Sequence, residues 1–142
     1  MVKIGNIRDT KKYKEECDLV GVIVRSPKKL RSGLISENVK HVPLLSPSWD
    51  LFNIYLEMKK SGQWTVDSFK GIYVPRFLDE MRKPEPLQLL HRVASYGKTH
   101  DIALLCFCLD EKECHRSIVA GILANLGVPV DCDPTYLEYS IY

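Results

Sequence analysis

Asp101-Ile102-Ala103-Leu104-Leu105-Cys106-Phe107-Cys108, then Leu109-Asp110-Glu111-Lys112-Glu113, then Cys114-His115-Arg116-Ser117-Ile118-Val119, is the stretch of this 142-residue chain that decides the fold. Its first part is an unbroken apolar run, which suits a strand covered on both faces in a parallel sheet. After a polar loop, Ile118, Val119, Ile122, Leu123 and Leu126 recur at helical spacing, and Gly127 closes the pattern. The segment therefore reads as strand, loop and buried-face helix. Two starts stay open for this helix: at Cys114-His115-Arg116, where its N-terminal amides would stabilise the Cys114 thiolate, or at Asp110, if Asp110 with Glu113 forms a variant capping box that puts Cys114 in the second turn.

Outward from this unit, Leu19-Val20-Gly21-Val22-Ile23-Val24 is a second apolar, β-branched run, and it too ends in a polar loop. Two buried strands of this kind predict a three-layer α/β/α sandwich with a mostly parallel, Rossmann-like central sheet, in a single domain over 1–142. Val2-Lys3-Ile4 and Val128-Pro129-Val130 add short strands, and residues 41–45 a third, limited by Pro43. Helices are expected over 11–16, from a Ser46 cap with Pro47 in first position, and from Thr65 onward, where Pro75 predicts a kink or split. Pro84 to Pro86 separate that last helix from one over 87–96, and residues 136–142 form a tail packed over the sheet edge.

Composition excludes several classes. Hydrophobic residues at 45% and charged residues at 27% match a globular protein and not a disordered chain. No apolar run reaches the ~18 residues of a membrane helix, and residues 1–12 carry no apolar segment of a secretory signal, so a cytoplasmic protein without membrane contact is expected. The five cysteines, Cys17, Cys106, Cys108, Cys114 and Cys132, are then expected as free thiols. The net charge of +2 is unevenly spread: residues 1–60 hold twelve Lys/Arg against seven Asp/Glu. An anionic partner, small molecule or nucleic acid, is expected to approach that half.

Open parallel sheets bind ligands outside the carboxyl ends of their strands. The loop after Val24 offers Arg25, Lys28, Lys29 and Arg31 to bind substrate. The loop after the second run offers Cys108, and beyond it Cys114, His115 and Arg116 as catalytic candidates: a nucleophile or polar orienter, a proton carrier and an anion holder. Cys114 also falls on the apolar stripe with Ile118 and Ile122, the position of a packed core residue, and Cys106 in mid-run reads as core. Cys106, Cys108, Cys114 and His115 are zinc-ligand types, but no C-x2-C pair is present, and the sequence assigns no metal and no cofactor. Three readings stay open: an enzyme on an anionic nucleotide, nucleic-acid or phosphate-bearing substrate; a non-catalytic anion-binding or nucleic-acid-binding module using loop 25–31; and a zinc-binding regulatory protein.

Leu104-Leu105-Cys106 followed by Cys114-His115-Arg116-Ser117 resembles the family called domain of unknown function 488, in which a strand ending in Leu-Leu-Cys precedes a helix opened by Cys-His-Arg. Ile4-Gly5-Asn6, Val24-Arg25-Ser26-Pro27, Pro47-Ser48 and residues 73–81 are similar to further parts of its pattern. The resemblance implies an α/β fold and an enzyme of undefined reaction. Two departures stand out: Ile23 replaces an aspartate of the pattern, and Cys108 a glutamate.

Overall fold

The computed structural model describes residues 1–26, 30 and 32–142. Strands β1 (Val2–Asn6), β2 (Leu19–Val22), β3 (Val39–His41), β4 (Ile102–Cys106) and β5 (Val130–Asp131) form one sheet in the order β3-β2-β4-β1-β5. Every pairing is parallel, with Leu19 to Val22 beside Ile102 to Leu105 and Val2 to Asn6 beside Ile102 to Cys106. β4 is buried along its whole length, as its uninterrupted apolar run requires of the middle strand.

Helices α1 (Thr10–Glu16), α2 (Trp49–Lys60), α3 (Val66–Ser68), α4 (Val74–Met81), α5 (Pro84–Gly97) and α6 (His115–Asn125) surround the sheet. Strand side chains alternate between faces. On β1, Gly5 lies under the ring of Tyr13 from α1, whereas Val2 meets Gly97 of α5. The odd and even residues of β1 thus face helices on opposite sides, and α4, α5 and α6 pack on one another. The α/β sandwich expected from the two apolar runs is the architecture observed.

Several local expectations are corrected. The third strand is Val39–His41, and Pro43–Leu45 forms a 3-10 turn, because proline cannot donate to a ladder. Ser48, not Ser46, caps α2: its hydroxyl accepts the Leu51 amide at 3.2 Å. Pro75 neither splits nor ends its helix. A π turn at Phe69–Tyr73 joins α3 to α4 just before it, and the wider turn absorbs the missing N–H. Pro84 opens α5 at its first turn, where a missing N–H costs nothing. Asp110 caps only a 3-10 turn, Glu111–Glu113; α6 begins at His115 with extended Cys114 as its N-cap residue.

α6 is buried all round from His115 to Leu123, not on one face. The reason lies in the C-terminal segment, whose 3-10 turn Pro134–Glu138 covers α6 instead of the sheet edge. Asn125 Nδ2 fastens it by donating to Leu137 O at 3.0 Å and Tyr139 O at 2.8 Å. No helix of the described residues is long and apolar enough to cross a membrane.

Candidate active site

β2 and β4 are neighbours, yet the chain leaves them in opposite directions: β2 leads outward to β3, and β4 leads across β1 to β5. Divergent connections open a crevice at the carboxyl ends of the two strands. A cavity of about 430 Å³ lies there, with Val24, Arg25 and Cys106 to Asp110 from the two strand-end loops. Cys114 and His115 complete its floor, and α2 and the π turn supply its wall.

The floor is a cluster of sulfur around one imidazole. Cys106 Sγ lies 4.0 Å from Cys108 Sγ and 4.0 Å from His115 Nδ1, and Cys114 Sγ lies 3.7 Å from the same nitrogen. Opposite, His115 Nε2 meets the Ile23 carbonyl at 2.5 Å. A carbonyl only accepts, so Nε2 carries the proton; burial pushes the His115 pKa below its ordinary value and keeps the ring neutral. The Nδ1 lone pair is thereby aimed at the thiols. The donor atoms of Cys106, Cys114 and His115 all lie within 4.8 Å of one another, a set with the composition of a metal-ligand group.

The three thiols differ electrostatically. Hydrogen bonds from Cys108 and Cys114 hold Cys106 well below the ordinary thiol range despite its burial, and the Arg116 charge adds to them. Burial, followed by the neighbouring sulfurs, pushes Cys114 well above that range, and Cys108 is raised chiefly by Cys106. Cys106 is therefore the thiol that ionises first.

The wall is aromatic. Tyr55 and Trp64 meet edge to face at 4.8 Å, Trp64 and Tyr73 at 5.6 Å, and Tyr73 stacks on Phe77, whose ring lies 5.7 Å from that of His115. Burial, with the cysteines nearby, raises the Tyr55 hydroxyl to about 12. Glu80 secures this wall by accepting the Ser48 amide at 2.8 Å and its hydroxyl at 2.5 Å, which ties the start of α2 to α4.

Residues 2–127 match the family model described as "Active DUF488-N3 subclade". The chain belongs to the DUF488 family. No curated protein and no solved structure matches it.

Within this DUF488 protein, the residues singled out in the sequence are distributed unequally. Cys108, Cys114, His115 and Arg25 line the crevice. Arg25 is held there by bonds from Nε to Pro47 O at 2.7 Å and from Nη2 to Ser46 O at 3.3 Å. Arg116 is elsewhere: its guanidinium donates to Gly5 O at 2.5 Å and Cys108 O at 2.7 Å, and its Nε is buried without a partner. It braces the loop that carries Cys108 and does not line the cavity. Lys28, Lys29 and Arg31 lie outside the described residues.

At the two departures from the DUF488 pattern, the Ile23 side chain is fully buried while its backbone carbonyl orients His115, and Cys108 faces the cavity. Sequence reasoning placed Cys106 in the core, where it lies, and passed over Lys59 and Tyr55 at the cavity. No signal marked those two, since Lys59 and Tyr55 are indistinguishable in sequence from ordinary helix positions.

Proposed function

We propose that this DUF488 protein is an enzyme acting on a small anionic substrate that carries a flat ring, with nucleotides as the best-fitting class. The observation that carries this reading is the neutral His115 imidazole, its free lone pair directed at Cys106 and Cys114 on the floor of a cavity. A nucleophile beside a base, with the base oriented by a third group, is the arrangement that covalent catalysis needs. Here the third group is the Ile23 carbonyl. Cys106 serves as nucleophile, His115 as proton carrier and Cys114 as the neighbouring polar group that orients them. The rings of Tyr55, Trp64 and Tyr73 offer edges and faces to a planar substrate, and Arg25 and Lys59 supply positive charge at the same cavity.

The test is ligand binding and turnover with a panel of nucleotides and oligonucleotides, on wild type, Cys106→Ser and Arg25→Ala. Cys106→Ser is expected to retain binding and lose turnover, and Arg25→Ala to weaken binding at least about tenfold, the loss of roughly one charge-assisted contact. If neither substitution changes binding or turnover, the site assignment is wrong. Affinity for oligonucleotides that collapses with rising salt, without turnover of any ligand, would instead favour a binding module.

A further inference from the structure

We infer that Cys106 Sγ, Cys114 Sγ and His115 Nδ1 form a binding site for one thiophilic divalent cation of the zinc class. The inference stands on donor geometry and not on the proposed reaction, so either can fail alone.

Tetrahedral zinc binds thiolate at about 2.3 Å and imidazole nitrogen at about 2.0–2.1 Å, which puts a bound sulfur and nitrogen about 3.5 Å apart. The two sulfur-to-Nδ1 distances here are 3.7 and 4.0 Å. Nδ1 therefore needs to close on each sulfur by only a fraction of an ångström, and the two sulfurs, which lie within 4.8 Å of one another, need to approach to the ~3.8 Å of two thiolates on a tetrahedral ion. The imidazole is also prepared for the task. Metal-bound histidines donate their second ring N–H to a carbonyl or carboxylate, which fixes the tautomer and aims the ligating nitrogen. His115 does so through Nε2 to the Ile23 carbonyl.

The ligands come from the end of β4 and the start of α6, joined by a 3-10 turn, which is why no C-x2-C spacing announces them. Three protein ligands leave one tetrahedral position, and the surrounding cavity together with Cys108, whose sulfur is 4.0 Å from that of Cys106, adjoins it. Two thiolates neutralise the dication, so loading releases the proton of Cys114, the thiol that burial keeps protonated. The ion takes the lone pair and the sulfurs that thiol chemistry uses. The metal-loaded and thiol-reactive forms consequently exclude each other, and the metal acts as a switch on the site.

The experiment uses the full chain, purified under reducing conditions, stripped with a chelator and titrated with Co²⁺ and then Zn²⁺. The expected result is one cobalt per chain with thiolate charge-transfer absorption in the near ultraviolet and the strong visible bands of tetrahedral cobalt, all displaced by one equivalent of zinc. Cys106→Ser and Cys114→Ser are each expected to weaken binding at least tenfold, and Cys132→Ser to leave it unchanged. Because Cys114 is buried, its variant can misfold; the wild-type protein gives the independent readout of two reagent-accessible thiols lost per zinc under mild denaturation. A weak octahedral cobalt spectrum, undiminished binding in both ligand variants, or no thiol protection by zinc overturns the inference.

Discussion

At the level of single residues, five free cysteines divide by environment. Cys17 and Cys132 are raised by burial among carboxylates, Cys114 is raised by burial, and only Cys106 is lowered, by hydrogen bonds from its sulfur neighbours and the Arg116 charge. A lowered thiol remains thiolate below the ordinary range, whereas a raised one protonates sooner as pH falls. In metal-free protein, iodoacetamide labelling followed by peptide mapping is therefore expected to slow less at Cys106 than at Cys132 as pH falls from about 9 to about 7, the rate at Cys132 dropping roughly tenfold per pH unit. Equal pH profiles at the two sites would refute the assignment of Cys106 as the ionised thiol. His115, pushed below its usual value, stays neutral throughout that window and adds no titration of its own.

Among the elements, α6 is the piece on which the site depends, since it begins with His115 and is enclosed on every side. Its outer cover is the C-terminal turn, which approaches so closely that a Cβ at Gly121 would sit 1.9 Å from Tyr136 O. Backbone cannot yield as a side-chain tip does. Gly121→Ala is thus expected to lower stability by about 1–3 kcal/mol through overpacking, against the ~1 kcal/mol that alanine ordinarily adds to a helix. A thermal melt decides: a raised midpoint would mean that the turn does not lie on α6. The 66–81 stretch gives the complementary lesson. Its helical periodicity was legible, but the response to Pro75 was not, because a π turn is one of several ways to dispose of a missing hydrogen bond.

For the molecule as a whole, the crevice is a product of strand order: β4 enters between β2 and β1, so their carboxyl ends bring Ile23 and Cys106 together from positions far apart in the chain. Contacts of α4, α5 and α6 with one another, and of α6 with β1, β4 and β5, join this helical layer to the sheet. Urea unfolding is expected to be one cooperative transition, with coincident midpoints for fluorescence of Trp49 and Trp64 on one side and thiol exposure of Cys17 beside β2 on the other. Separate midpoints would show two independently stable units.

The chain alone determined the layered α/β architecture, because an uninterrupted apolar run such as 102–106 has no stable place except the middle of a sheet covered on both faces. It also pointed to the loops where those runs end, and Cys114, His115, Arg25 and Cys108, which it singled out, line the crevice found there. Only the tertiary structure decided which groups meet. Cys106 is buried with the core, as its place in the apolar run implies, but side-chain period cannot show that its sulfur also meets His115. Arg116 looked like an anion holder because sequence cannot show that two backbone carbonyls claim its guanidinium. The orientation of His115 depends on a backbone carbonyl 92 residues away, and a carbonyl, being common to every residue, leaves no mark in a sequence.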